Sequence, residues 1–175
     1  MSLFKVLFVM VLPPMLYPLF EYVWTAKNVI PGEYLKASHS EAALRLGTLS
    51  GIPLTLSIIS VMVIRMFSSA HNTISGAESG LLKMNKSVLQ NTLEQTVFFV
   101  INLWAVASWN TVPVETLILI TGVFIGGRLL FWFGYTLQWL IDFKRLRSAA
   151  FILSMMNTMI LLGVNARNLY FLLIK

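Results

Sequence analysis

The sequence predicts an all-α integral membrane protein, and three observations carry that reading. Hydrophobic residues make up 57% of the 175-residue chain. Charged residues make up only 11%, against about 25% in ordinary soluble domains. The apolar residues gather into five stretches of the roughly 20 residues that a membrane-crossing helix needs. The composition also excludes some chemistry. The chain has no cysteine, so it cannot form disulfides, thiolate nucleophiles or thiolate metal sites. His39 and His71 are too few and too scattered for a histidine metal cluster. In so apolar a chain the net charge of +6 reads as a positive-inside bias and attraction to anionic headgroups, with no nucleic-acid partner.

The first span covers residues 3–24 and contains Lys5, Pro13, Pro14 and Pro18. A secretory signal peptide would look similar. The Pro-Pro pair inside the apolar run, and the lack of a small-x-small cleavage site before Lys27, favour a kinked membrane helix. Residues 25–45, with Pro31-Gly32, read as an external loop. The second span covers 46–67. The third, 81–108, has a polar start. The fourth covers 113–141 and the fifth 148–173. The chain therefore divides into residues 1–45, an additional amino-terminal helix with its loop, and residues 46–175, a four-helix membrane domain.

Basic residues set the expected orientation. Arg65, Lys83, Lys86, Lys144, Arg145 and Arg147 border two loops on the same side, and Lys5 joins them. The other side carries Lys27, Lys36, Arg45, Arg167 and Lys175, offset by Glu33, Glu41 and Glu115. This places the amino terminus and both basic loops in the cytoplasm and the carboxyl terminus opposite, in an endomembrane or a bacterial inner membrane. The Asn85-Lys86-Ser87 sequon is then cytoplasmic and unmodified. Trp24, Trp104, Trp109 and Tyr170 suit interfacial belts. Met155, Met156 and Met159 read as packing residues, and His39 and His71 as solvated loop residues.

Polar residues inside the spans need a reason. Asn91, Glu94, Gln95 and Asn102 share one face of the third helix, opposite Val97, Phe98, Ile101 and Leu103. A charge near the bilayer centre costs roughly 2.5–3.5 kcal/mol, so the polar face is expected to meet protein or a watery cavity. Arg128 in the fourth helix shares its face with Phe131, Tyr135, Gln138 and Asp142. Arg128 and Glu94 lie at comparable depth, about 20 Å from their helix ends at a ~1.5 Å rise. An Arg128–Glu94 ion pair is the expected structural link. Gly126 and Gly127 are expected to admit a close neighbouring backbone.

Asn91-Thr92-Leu93-Glu94, then Arg128 followed by Phe131 and Tyr135, then Arg145-Leu146-Arg147-Ser148 resemble the MAPEG family, the membrane-associated proteins in eicosanoid and glutathione metabolism. The resemblance runs from residue 46 to the carboxyl terminus. It implies a MAPEG-like four-helix bundle assembled as a homotrimer, with glutathione between subunits near the cytoplasmic face and a hydrophobic small molecule entering from the lipid bilayer. It implies that Asn91, Glu94, Tyr135 and Arg65 bind glutathione and that Arg147 activates its thiol by charge and hydrogen bonding. Arg145 is the alternative to Arg147 for that role, and a snorkelling interfacial cation is the alternative for Arg65. Two positions depart from the pattern of glutathione-using members. Ser87 stands where an arginine precedes the Asn by four, with Lys83 and Lys86 as the nearby cations. Phe131 stands where a Tyr or His follows the Arg by three.

Two functions follow. One is a glutathione-dependent transferase or peroxidase acting on lipophilic substrates. The other is a non-catalytic scaffold of the same fold that binds lipid or a protein partner. A channel is disfavoured, because one ion pair without a repeated ionisable track does not make an ion path.

Overall fold

The Ser38 hydroxyl accepts the backbone N–H of Glu41 and starts the first helix. The computed structural model of the protein describes residues 38–67, 79–141 and 144–174, with the side chains of 136–145 left outside the description. The expected span 3–24, His71, and the side chains of Gln138, Asp142 and Arg145 therefore lie outside the described residues. The described chain is helical: α1 (His39–Ser50), α2 (Ile52–Met66), α3 (Gly80–Ser108), α4 (Val114–Ile141) and α5 (Lys144–Ile174).

The second helix thus begins at His39, not at residue 46, and the final part of the expected external loop is helix. Its start is a capping signal, Ser38-His39-Ser40-Glu41, in which the hydroxyl satisfies an orphan donor of the first turn. Ala42, Ala43, Leu46, Gly47 and Ser50 form the buried face of α1, at helical spacing. Pro53 stands at the first turn of α2 and has no N–H to continue the ladder. The chain bends there at Gly51. The two pieces together, His39–Met66, are long and apolar enough to cross a membrane, as are Val114–Tyr135 and Leu146–Ile174.

Helix α3 ends where Asn110 takes a left-handed conformation, φ 52°, a common way to stop a helix. Pro113 then accepts the first N–H groups of α4. Helix α4 packs most extensively on α5, and α3 lies against α1, α2 and α5. One core holds Ala43 and Leu46 of α1, Phe99, Leu103 and Val106 of α3, Leu117 and Phe124 of α4, and Leu161 of α5. The Phe99 and Phe124 rings stack 4.0 Å apart at its centre. Polar contacts supplement it. The Asn165 amide of α5 donates to the carbonyl and side-chain oxygen of Asn102 on α3, at 3.1 and 3.2 Å. The Trp104 indole donates to the Ala43 carbonyl of α1 at 3.2 Å, so this tryptophan also ties two helices together. Met156 and Met159 point outward, 58% and 41% exposed, instead of packing within the bundle.

The sequon has a simple fate. Asn85 is only 6% exposed, and its amide donates to the Leu81 carbonyl within α3. A glycan cannot be attached to that side chain on the folded helix, on either side of a membrane.

Two glycines set the approach of α4 and α5. A Cβ on Gly127 would touch Ser154 and the Ala150 carbonyl at 3.4–3.5 Å. A Cβ on Gly134 would lie 2.8 Å from the backbone nitrogen of Arg147. Gly126, expected to share this role, has nothing within 4 Å of such a position. Gly134→Ala is expected to destabilise the bundle by about 1–3 kcal/mol, because rigid backbone must move. Gly126→Ala is expected to be neutral or stabilising, since Ala exceeds Gly in helix propensity by about 1 kcal/mol. Thermal unfolding in detergent should show a lower midpoint for Gly134→Ala only.

Candidate functional site

The guanidinium of Arg128 is fully buried, at 0% exposure, and it does not pair with Glu94. One nitrogen, Nη2, donates to Asn91 Oδ1 at 2.9 Å and to Thr92 Oγ1 at 2.8 Å. Nη1 donates to Ser154 Oγ at 3.4 Å. The guanidinium carbon lies 4.3 Å from the Phe131 ring centroid, within cation–π range. Neutral oxygens and an aromatic face thus replace the expected carboxylate. Successive residues on a helix are turned by about 100°. Asn91 and Thr92 therefore span one sector, whereas Glu94 sits on the far side of Asn91 from Thr92. Glu94 lies within a turn of the depth of Arg128, but its angular position turns it elsewhere.

Glu94 is exposed on the single chain and accepts a hydrogen bond from Gln90 Nε2 at 2.7 Å. The polar stripe of α3 is therefore two features. Thr92, Gln95, Thr96 and Asn102 are buried, Asn91 is half-buried, and Gln90 and Glu94 face outward. Val97 and Ile101, expected opposite this stripe, are exposed on the same side as Glu94, and Leu103 is fully buried in the core.

Glu94 and Gln90 open onto a groove of about 820 Å³ between α2, α3 and α4. Arg65, Asn91, Glu94 and Tyr135 all line it. These are the four residues that the sequence nominated for ligand binding. Lys83, Lys86 and Ser87 line it too, with Ile58, Val61, Met62 and Leu89 as the apolar wall. The Ser87 hydroxyl is turned back to the Lys83 carbonyl at 3.1 Å. Phe131 does not line the groove. It is 4% exposed, wedged between the Arg128 guanidinium and the edge of Tyr135, whose ring centroid is 5.0 Å away.

Arg147 does not line the groove either. Its guanidinium carbon lies 4.8 Å from the Tyr135 ring centroid, one side-chain layer behind the groove wall. Arg128, Phe131, Tyr135 and Arg147 therefore form a row of contacts in which two cations flank a central edge-to-face aromatic pair. Gln90, Thr92 and Ser154 were not picked out from the sequence. Gln90 follows from Glu94 by one helical turn, whereas nothing in the pattern of α5 separates Ser154 from other small polar residues.

The MAPEG family model matches residues 46–167 of this chain, more than half of it. The chain belongs to the MAPEG family. No curated protein and no solved structure gives a match. The matched segment includes every groove residue named above, and it ends within α5. As a MAPEG protein with three helical stretches able to cross a bilayer among the described residues, it is a membrane protein.

Removing Arg128 leaves Asn91, Thr92 and Ser154 facing each other without their shared donor. Arg128→Leu is expected to cost about 3 kcal/mol of stability. Glu94→Gln should cost about 0.5 kcal/mol or less, as usual for an exposed position. Chemical denaturation of the two variants in mixed micelles compares them directly. Equal losses would restore the discarded ion pair.

Proposed function

We propose that this MAPEG protein binds glutathione in the α2–α3–α4 groove of a homotrimer and transfers it to, or uses it to reduce, lipophilic substrates. The observation that carries the reading is the convergence of Arg65, Asn91, Glu94 and Tyr135 on one groove together with Lys83 and Lys86. Glutathione carries two carboxylates and one ammonium. The cations suit the carboxylates, and Glu94 suits the ammonium. Asn91 has a donor and an acceptor for the peptide groups. The apolar wall of Ile58, Val61 and Met62 suits a hydrophobic co-substrate arriving from the bilayer.

The trimer is supported by the outward face of α3. Lys83, Ser87, Gln90, Glu94, Val97 and Ile101 are all exposed on the single chain. They recur at alternating spacings of four and three, the pattern of a helix that packs against a second helix along a seam. Four of them also line the groove, so a neighbouring subunit on this face would close the open side of the site.

In the transferase reading, Arg147 stabilises the glutathione thiolate by charge and hydrogen bonding. The thiolate sulfur attacks the electrophilic carbon, a C–S bond forms, and the electron pair displaced from that carbon leaves with a leaving group or takes up a proton. The Tyr135 ring face holds Arg147 one layer behind the groove wall, and side-chain rotation would bring its guanidinium to the thiolate. The Tyr135 hydroxyl can donate to the thiolate or to a glutathione carboxylate.

A titration of the detergent-purified protein with glutathione, followed by calorimetry, tests the reading. Saturable binding is expected. Arg147→Ala should abolish turnover of a lipophilic electrophile, and Asn91→Ala or Glu94→Gln should weaken binding about tenfold, the loss of one charge-assisted hydrogen bond. A folded trimer that binds no glutathione at millimolar concentration would instead assign the chain to a non-catalytic scaffold. Ser87 and the buried Phe131 favour that second reading, since neither offers the groove a polar group of the kind found in glutathione-using members.

A further inference from the structure

We infer that the basic mouth of the groove is a binding site for the phosphate of a membrane phospholipid, whose acyl chain lies along α2. The inference uses the groove and the cations of the glutathione reading but needs neither Glu94 nor Arg147. Arg65 is in the last turn of α2, and Lys83 and Lys86 are in the first two turns of α3. Val61 and Leu82 pack together, so the end of α2 and the start of α3 meet at one end of the bundle. Cations that merely snorkel to an interface fan out around a bundle. Here three of them, from two helices, line one cavity. Among the described lining residues the one carboxylate, Glu94, is eleven residues from Lys83 and eight from Lys86, roughly 16 and 12 Å along the helix at a ~1.5 Å rise. The mouth is therefore a separate positive pole.

The cations that can take a glutathione carboxylate match a tetrahedral phosphate better, so the two ligands would compete for the mouth. A carboxylate has two oxygens in a plane and is best matched by one arginine fork. The position that would carry a fork on α3 is Ser87, whose hydroxyl is committed to the Lys83 carbonyl. Two lysine point charges and one arginine on separate helices instead suit a tetrahedral anion with several acceptor oxygens. The tail has its own track. Ile58 and Met62 line the groove yet are 43% and 58% exposed. Ile59 and Val63 continue that exposed apolar surface along α2. A free phosphate would use the mouth alone, whereas a phospholipid uses both surfaces. Basic residues beside an anionic leaflet add to such attraction.

The test is native mass spectrometry of the full chain, delipidated in neutral detergent without glutathione, with three probes. These are palmitoyl lysophosphatidylglycerol, monopalmitoylglycerol with the same tail and no phosphate, and inorganic phosphate. Saturable binding of the lysophospholipid is expected, at least tenfold tighter than either other probe. Lys83→Ala/Lys86→Ala should weaken it about tenfold, and Lys83→Arg/Lys86→Arg should retain it. Arg167→Ala, near the opposite end of α5, and Arg147→Ala should leave it unchanged. Equal binding of monopalmitoylglycerol would overturn the phosphate site. Inorganic phosphate binding as tightly as the lipid would overturn the lipid assignment. An unchanged affinity in the double alanine variant would overturn the role of the mouth. Glutathione binding lost in Arg147→Ala while lipid binding persists would show that the two readings stand or fall separately.

Discussion

A guanidinium held inside a helical bundle without a carboxylate is the constraint on which the described structure turns. Arg128 has no exposed surface, and its charge is met by two hydroxyls, one amide oxygen and the face of Phe131. A buried charge is tolerated only when hydrogen bonds replace the lost water. Those bonds come from α3 and α5, while Arg128 itself belongs to α4. One side chain therefore fixes the register of three helices at once. The arrangement also explains Gly127. Ser154 reaches Arg128 only because α5 comes close to α4 there, and a Cβ at 127 would press on Ser154.

Taking Arg128 inward divides α3 into two working faces. Thr92, Thr96 and Asn102 serve the interior, and Asn102 continues the α3–α5 polar contact through Asn165. Gln90 and Glu94 serve the groove. Asn91 lies on the border and belongs to both, since its oxygen accepts from Arg128 while its side chain lines the groove. A ligand that engages Asn91 thereby touches the same residue that orders the bundle. A change at Asn91 would therefore act on the bundle and on the groove at once.

Much of this could be read from residue order. Helix existence followed from apolar length, and the α4 boundaries followed from Pro113. The family followed from Asn91, Glu94, Arg128 and Tyr135 in sequence. The start of α1 was also present in Ser38 and Glu41, a capping signal hidden by the assumption that residues before 46 were loop. Arg65, Asn91, Glu94 and Tyr135, on three different helices, were nominated by the family resemblance and not by spacing along any one helix. The partner of Arg128 was not legible. Depth can be counted along one helix, but the angle at which a second helix presents its residues depends on packing that no single-helix pattern encodes. Glu94 had the right charge and depth and the wrong azimuth, whereas Thr92 had no charge and the right azimuth.

The same packing argument decides where Arg147 can act. Its Cα is held by close contact with Gly134, one residue before Tyr135, and its guanidinium rests on the Tyr135 ring. Backbone contact and ring contact act on adjacent residues of α4. The guanidinium is therefore placed by rigid elements, and only side-chain rotation separates its stacked position from the edge of the groove. Tyr135 is the one residue that both touches Arg147 and lines the groove. Any influence of Arg147 on a molecule in the groove of this chain must pass around or through that phenol. Phe131 behind it has no polar atom to offer a competing hydrogen bond, so the hydroxyl of Tyr135 is free to serve the ligand side. Where the family pattern has a Tyr or His, Phe131 thus leaves Tyr135 as the polar residue of α4 that lines the groove, with Arg147 stacked behind it.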